Sequence, residues 1–331
     1  MLRNFITISF RNLVRQKGFS LINIIGLTMG LTVGFLIILY ISDELSYDKF
    51  HHDSDRIYRI AIRGKMGDMP LNIAVTPGAM GRSLHEDMPE VKTYTTFEHI
   101  SGNQLFRTGD NKFYDQDLFY ADTNFFKIFN YNMLYGDPVD ALKHPYSIIL
   151  TKRIAEKYFG NINPVGEILK LNNQHDYTVT GVVEDIGDRS HLQANMLASF
   201  QTRIQQSNNR VAEDWGDMMY YTYLKLNKDI NLPLFESKIT EYVNQELSRQ
   251  MESPDITIQP YLQPVTDIHL KSNSLGEIEA NSDISYIYIL SAIAFGILFI
   301  AGINFMNLST ARSANRAKEV SIKKVLGSSK R

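Results

Sequence analysis

Two long uncharged runs of apolar residues, one near each end, dominate the hydropathy pattern of the chain. They cover residues 21–41 and residues 284–311. In the second run, eleven of the residues in 287–305 are Ile, Leu or Phe. Their contributions to the free energy of membrane insertion sum to roughly −3 to −7 kcal/mol, before the polar positions are subtracted. Both runs are long enough to cross a bilayer as a helix. The pattern predicts two transmembrane helices, residues 19–42 and 284–311, with residues 43–283 displayed between them.

The region between the two runs contains a strand–helix–strand pattern twice. In each copy, apolar side chains alternate before and after a segment with helical spacing. The first copy, in residues 53–99, has the positions Tyr58, Ile60, Ile62, then Met80, Leu84, Met88, then Val91, Thr93, Thr95, Phe97. The second copy, in residues 217–271, has the positions Tyr220, Thr222, Leu224, Leu226, then Phe235, Ile239, Val243, Leu247, then Ile256, Ile258. Two βαβ units around an insertion of residues 100–216 predict one α+β sandwich with an inserted α+β subdomain.

The insertion has strand, helix and turn signals of its own. Residues 148–150 are an apolar triplet, and the following residues 151–159 predict a helix that Gly160 can close in a left-handed cap. Two further strand signals flank Asn172 and Asn173, a pattern typical of a hairpin with a short loop.

Charge is distributed so that both chain ends are basic and the middle is acidic. Residues 1–42 carry four Lys or Arg and no acid, and residues 312–331 carry seven bases and one acid. Because basic flanks tend to stay on the cytoplasmic side, both ends are predicted to be cytoplasmic and residues 43–283 to be outside. Residues 43–311 hold 23 bases against 35 acids, which argues against nucleic acid or an anionic lipid surface as the partner of this region. Residues 1–18 have one basic and one apolar helical face, as expected of a helix in the membrane interface.

Small and polar residues within the two runs indicate helix packing. Gly26, Gly30 and Gly34 stand four apart and form one smooth stripe on a helix, where another helix can approach closely. The sequence does not identify that partner helix. Asn304 and Asn307, near the cytoplasmic end of the second run, are expected to hydrogen-bond to a neighbouring helix.

Motifs for catalysis are absent from the sequence. The chain contains no Cys, which excludes disulfides and thiol catalysis, and it lacks G-x-x-x-x-G-K-[ST], H-E-x-x-H, G-x-S-x-G and G-x-G-x-x-G. His51 and His52 are adjacent, so their side chains are expected to point in different directions, with no well-spaced third ligand. Glu184, Asp185 and Asp188 are interpreted as a solvated turn rather than a cation site. We therefore expect no enzymatic activity, metal or cofactor in this chain.

The basic segment after the second run resembles a motif of a known family. Arg316, Glu319, Ile322, Lys324 and Gly327, in the run ARSANRAKEVSIKKVLGSSK, resemble the pattern R-x-x-E-[IV]-x-I-[RK]-K-x-x-G that follows the second span in MacB/FtsX-type ABC transporter permeases. Residues 42–60, 163–171 and 177–186 are also similar to the external domain of that family. The alternative, that a basic helix beside a membrane is only a topology signal, stays open.

The resemblance implies a permease subunit in a bacterial inner membrane that transmits ATPase-driven motion to a periplasmic core domain, for export or efflux. The two βαβ units would form its porter-like part. ATP would be bound by a separate ABC ATPase subunit, which would contact residues 312–331. The coupling residues would be Arg316, Glu319, Ile322, Lys323, Lys324 and Gly327. Other implied partners are membrane lipid, a second permease half in a dimer or pseudo-dimer, and a further periplasmic protein.

Two expectations follow from comparison with family members and with other two-span proteins. Family members continue into further spans, so the chain is expected to be part of a longer permease. The alternative function is a two-span sensor, such as a chemoreceptor or histidine kinase, with an external ligand-binding domain. Residues 311–327 have too few apolar a and d positions for the signalling heptads of such sensors.

Overall fold

The computed structural model describes residues 17–250 and 256–325. It divides the chain into a helix unit, formed by the two terminal helices, and a sheet domain, Ser46–Asp283. The helices are α1 (Lys17–Glu44), α2 (Met80–Asp87), α3 (Phe125–Ile128), α4 (Lys152–Phe159), α5 (Phe200–Gln206), α6 (Arg210–Glu213), α7 (Leu232–Gln250), α8 (Ile268–Lys271) and α9 (Ile284–Val325). The strands are β1 (Ile57–Met66), β2 (Met69–Ile73), β3 (Thr76–Pro77), β4 (Val91–Ile100), β5 (Gln104–Thr108), β6 (Asn111–Asp115), β7 (Leu118–Ala121), β8 (Met133–Tyr135), β9 (Ser147–Thr151), β10 (Ile168–Leu171), β11 (His175–Val183), β12 (Met196–Ser199), β13 (Met218–Leu226) and β14 (Ile256–Pro264).

The helix unit consists of α1 and α9, and each contains a stretch long and apolar enough to cross a membrane. These stretches are Ile24–Glu44, with a mean hydropathy of 2.4, and Ile284–Met306, with a mean hydropathy of 2.3. Large apolar side chains are exposed along both helices, for example Met29 at 66% and Phe295 at 70%. A helix that exposes apolar side chains in this way needs an apolar solvent, so the two helices fit the predicted spans. The interfacial helix predicted in residues 1–18 lies almost wholly outside the described residues.

The helix α9 continues beyond the apolar stretch without interruption. It has 42 residues, which corresponds to a length of about 63 Å at 1.5 Å per residue. A bilayer core is only about 30 Å thick, so α9 extends through residues 312–325 as one rod. The basic segment is therefore a continuation of the span and not a separate element.

The two predicted βαβ units form one interleaved four-stranded sheet. Its order is β14–β1–β13–β4, and all three pairings are antiparallel. Each unit thus contributes one central and one edge strand, so that β1 lies between two strands of the other unit. This is the split βαβ arrangement, with α2 and α7 on one face. The short strands β2 and β3 are additions that the sequence pattern did not predict.

Each face of this four-stranded sheet is covered by its own apolar core. The helix-side core contains Ile60, Met80, Leu224 and Phe235. It also contains Trp215, whose ring centroid lies 6.1 Å from that of Tyr242 on α7. The opposite core contains aromatic rings from β4, β13, α3 and the residue after α3, among them Phe97, Tyr223, Phe125 and Phe129.

The insertion extends the same sheet instead of forming a separate one. From β4 the order continues β7–β12–β9–β11–β10–β5–β6, with parallel pairs β7–β12 and β9–β11. The predicted hairpin is β10–β11, and Asn172 and Asn173 both adopt positive φ, 51° and 58°. The predicted helix is α4, but Gly160 has φ 71° and ψ −152°, so the expected left-handed cap does not form. A positive φ still favours glycine there.

Candidate functional site

In the helix unit, the glycine stripe of α1 lies against α9. A Cβ atom on Gly30 would be 2.7 Å from Cβ of Ala301, and one on Gly34 would be 2.8 Å from a methyl group of Leu298. A Cβ on Gly26 would be 3.1 Å from Nδ2 of Asn304. Residue numbers rise on one helix as they fall on the other, so the two helices are antiparallel. The helix that the sequence could not identify as the glycine partner is therefore the other apolar helix of the chain.

The predicted coupling segment is only partly described. The structure gives the helical backbone to Val325 and the side chain of Ile322, which is 52% exposed. The side chains of Arg316, Glu319, Lys323 and Lys324, and all of Gly327, lie outside the described residues, as does the side chain of Asn307.

In the sheet domain, the residues that continue directly from α1 bind to the insertion through Asp48. We call residues 46–53 the N-side junction. Asp48 is fully buried and its carboxylate accepts hydrogen bonds from Ser190 Oγ at 3.0 Å and from the backbone N–H of His191 at 3.3 Å. Nδ1 of His191 lies 2.9 Å from the same carboxylate, and the backbone N–H of Asp48 donates to the carbonyl of Arg189 at 2.9 Å. The N-side junction is thus held by the loop that precedes β12.

The electrostatics around Asp48 favour a carboxylate beside neutral His51. Burial alone would raise the pKa of Asp48, but the nearby imidazoles of His191 and His51 and the hydroxyl of Ser190 outweigh it, so the pKa lies below its ordinary value. Burial lowers the pKa of His51 to about 4, although Asp48 opposes this shift. Nδ1 of His51 accepts a hydrogen bond from the backbone N–H of Asn130 at 3.1 Å, so the ring is held in its neutral form.

The contact from Asp48 continues through His191 to a central strand of the sheet. Nε2 of His191 lies 2.6 Å from the hydroxyl of Tyr223 on β13. Burial raises the pKa of Tyr223, so this hydroxyl stays protonated and can donate to Nε2. On the neighbouring strand β1, Arg59 is the directly opposite partner of Tyr223. Opposite partners point to the same face of a sheet, so both side chains lie in the aromatic-side core.

Arg59 is a fully buried cation whose two terminal nitrogens have acceptors, whereas its Nε has none among the described residues. Its Nη1 and Nη2 donate to the two carboxylate oxygens of Glu277 at 2.6 and 2.7 Å. Nη2 also donates to Oε1 of Gln263 at 2.7 Å and to Oγ of Ser272 at 3.0 Å. Burial opposes the charge on Glu277, but Arg59 holds the pKa of this carboxyl below its ordinary value. A bidentate pair of this kind is the geometry that compensates a buried guanidinium best.

The residues that lead directly to α9 are fixed by backbone contacts on the same face. We call residues 265–283 the C-side junction. Leu275 donates its N–H to Asn72 O at 2.8 Å and accepts from the N–H of Ala74 at 2.9 Å. The hydroxyl of Tyr221 donates to the carbonyl of Gly276 at 2.7 Å. The rings of Tyr47 and His269 stack with centroids 3.5 Å apart, so the two junctions also touch each other.

Six residues therefore form one set, which we call the junction network; five of them are buried, and the side chain of Glu277 is 12% exposed. Its members are Asp48, Arg59, Ser190, His191, Tyr223 and Glu277. No motif or spacing in the sequence predicts this set. The alternation of Tyr58, Ile60 and Ile62 predicted a strand with one buried face, whereas Ile57, Arg59 and Ala61 on the other face are fully buried as well. The sequence offered one signal of this second buried face, which was the charged residue Arg59 within an apolar strand.

The structure also describes the histidine pair considered as a metal site and the acidic residues considered as a turn. His51 faces the network and is 3% exposed, whereas His52 is exposed, so the adjacent pair does point in different directions. Asp185 accepts a hydrogen bond from the N–H of Arg153 at 2.9 Å at the start of α4. In residues 17–250 and 256–325, no group of His, Asp and Glu has the arrangement of a metal site.

Comparison with known proteins agrees with these features. A family profile described as MacB-like periplasmic core domain matches residues 20–242. The chain is similar to the macrolide export ATP-binding/permease protein MacB of Aggregatibacter actinomycetemcomitans, with 21% identity over 236 residues, 69% of this chain and 33% of that protein. The chain thus spans about a third of the length of this relative.

Solved structures are similar as well. One is a domain of a protein described as a permease from Porphyromonas gingivalis, with a TM-score of 0.55 and 20% identity over 71% of this chain and 97% of that chain. Another is the periplasmic region of MacB from Actinobacillus actinomycetemcomitans, with a TM-score of 0.44 and 16% identity over 62% of this chain and 88% of that chain. The expected α+β domain between two apolar helices and the resemblance to MacB/FtsX-type permeases are confirmed.

Proposed function

The chain belongs to the family of proteins that contain a MacB-like periplasmic core domain, and from this we propose that it is the permease part of an ABC transporter that transmits ATPase-driven motion to an external domain. The observation that carries the proposal is the junction network. Residues leading directly from α1 and directly into α9 are both tied by buried charges to β1 and β13. A displacement of either helix would therefore reach the centre of the sheet.

The cytoplasmic end of the proposed path is α9. A helix that runs without interruption from Ile284 to Val325 can carry a push on the basic segment along its axis. We assign Arg316, Glu319, Ile322, Lys323, Lys324 and Gly327 to contact with a separate ATPase subunit, which binds the ATP. The exposed side chain of Ile322 supports an apolar contact there, and Lys323 and Lys324 can meet acidic groups.

The remaining parts of the proposal concern location and assembly. Both chain ends lie in the cytoplasm of a bacterium, the domain lies in the periplasm, and the membrane is the inner one, since basic residues flank the spans on their terminal sides. The protein acts as a dimer or pseudo-dimer of permease halves, and the cargo is exported. The sensor alternative has no support in the basic segment, which lacks a heptad seam.

The proposal is tested by purifying the full-length gene product from its native host and measuring the ATP hydrolysis that purifies with it. Ile322→Asn and Gly327→Val keep every charge, so a topology signal would tolerate them. We expect each to reduce co-purified ATPase activity by about tenfold, equivalent to about 1.4 kcal/mol of lost association. Ile162→Asn is the matched control, because Ile162 is 60% exposed on the sheet domain.

The outcomes separate the functions clearly. Unchanged ATPase activity with both variants, at normal abundance, would rule out coupling through this segment. Absence of any co-purified ATPase from the unaltered protein, together with a kinase in its place, would favour the two-span sensor.

A further inference from the structure

We infer that the junction network makes the two junctions one cooperative unit, so that α1 and α9 act on the β1–β13 pair together and not independently. Tyr223 is the positioning residue at its centre. The mechanical consequence rests on the proposed function, but the cooperativity is a property of the sheet domain alone. Four separate parts of the chain meet in this network: the N-side junction, the loop before β12, the β1–β13 pair and the C-side junction.

The buried charges make separation of the parts costly. Asp48 and Arg59 are both fully buried. If Glu277 moved away, the guanidinium of Arg59 would keep only the neutral acceptors Gln263 and Ser272. If Asp48 moved away, the N–H of His191 and the hydroxyl of Ser190 would lose their acceptor. A buried charge left without its partner is strongly destabilising, so each junction is held to the sheet as long as the core is closed.

Tyr223 connects the two halves of the network. Its hydroxyl meets Nε2 of His191, and its strand position places it directly opposite Arg59. Its ring is packed against Phe97 and Phe129, with centroids 5.4 and 5.1 Å away. Removal of the hydroxyl alone, as in Tyr223→Phe, keeps this packing and cuts the connection to His191.

One exposed ion pair of the domain lacks this property and serves as a comparison. The pair Lys238–Glu90 joins α7 to the residue before β4, and its side chains are 51% and 20% exposed. Exposed pairs of this kind contribute little and can open without opening the core. Glu90→Gln is therefore a matched control for Glu277→Gln, because both replace an ion-paired glutamate by its amide.

The test is hydrogen exchange of backbone amides in the full chain, purified in detergent. Glu277→Gln alters the C-side junction, and we expect the amides of Asp48 and His191 on the N-side to exchange at least about tenfold faster. Asp48→Asn should conversely accelerate the amides of Leu275 and Ala74, because coupling between two sites is reciprocal. In a Tyr223→Phe background, Glu277→Gln should accelerate the amides of Asp48 and His191 less than in the unaltered background, because the Tyr47–His269 stacking then joins the junctions without the Tyr223–His191 hydrogen bond. Glu90→Gln should change none of these rates.

The inference is overturned if Glu277→Gln accelerates exchange only within residues 265–283 while the amides of Asp48 and His191 are unchanged. If Glu277→Gln fails to fold, Ser272→Ala takes its place, since it removes one hydrogen bond to Arg59 and leaves the ion pair. Exchange needs no ATPase, so a negative result here would leave the proposed function standing. A failed ATPase association would in turn leave the cooperative unit standing.

Discussion

At the scale of single residues, buried ionisable groups determine how the sheet domain responds to acid. His51 titrates near pH 4 in the folded domain, whereas an unfolded histidine titrates near pH 6.5. The unfolded chain therefore binds a proton first as the pH falls. Stability that is fully present above pH 6.5 is lost as the pH falls towards 4, by about 3 kcal/mol at most for this group. The lowered pKa of Asp48 acts in the same direction, but only at lower pH.

This response gives a prediction for His51→Asn. The asparagine oxygen can still accept the hydrogen bond from Asn130, but the residue cannot be protonated. We expect the free energy of unfolding to fall more steeply between pH 6.5 and pH 4.5 in the unaltered protein than in the variant. Urea unfolding at several pH values measures this difference, with His144→Asn as an exposed control. Equal slopes in the unaltered protein and His51→Asn would contradict the assignment.

At the scale of elements, the lack of a Cβ atom at Gly30 allows α1 and α9 to approach closely near their midpoints. A Cβ on Gly30 would meet Cβ of Ala301 at 2.7 Å, and its next neighbours, on Ile297, are at 3.8 and 3.9 Å. The contact is therefore specific to one pair of positions. In an apolar solvent, such close approach is a main source of helix association.

Gly30→Ala should weaken the helix pair, and adding Ala301→Gly should restore it. Overpacking costs about 1–3 kcal/mol, and the second change removes the atom that is in the way. Thermal unfolding in detergent, followed by circular dichroism, measures both effects. Gly296→Ala is the control, because the described residues leave its Cβ position open to 4 Å. A double variant that is less stable than Gly30→Ala would show that the helices pack differently.

At the scale of the whole molecule, interleaved strands make the two ends of the sheet domain depend on each other. The strand β1 pairs with β13 and β14, both from the second unit, and β4 pairs with β13. A fragment of residues 43–99 therefore keeps only the pairing of β1 with the short strand β2 and lacks both β13 and β14. We expect it to remain unfolded, whereas residues 46–283 should fold as one acidic unit. Proton NMR dispersion distinguishes the two, and a cooperatively folded 43–99 fragment would contradict the observed topology.

The sequence alone determined the features that depend on local spacing and on solvent. Uninterrupted apolar runs located the two helices that are long and apolar enough to cross a membrane. Alternation and helical spacing located β1, α2, β4, β13, α7 and β14, and paired asparagines located the turn between β10 and β11. These signals are local because hydrogen bonding and side-chain direction repeat with a fixed period along the chain.

Only the tertiary structure decided which strands are neighbours and which charges meet. Strand spacing is the same whether two βαβ units stack or interleave, so the order β14–β1–β13–β4 could not be read from it. Arg59 and Glu277 are 218 residues apart, and nothing near either residue indicates the other. The partner of the glycine stripe was undetermined for the same reason. Long-range contacts form because whole faces of helices and strands are buried and charges are paired at the same time. This happens only when the chain folds.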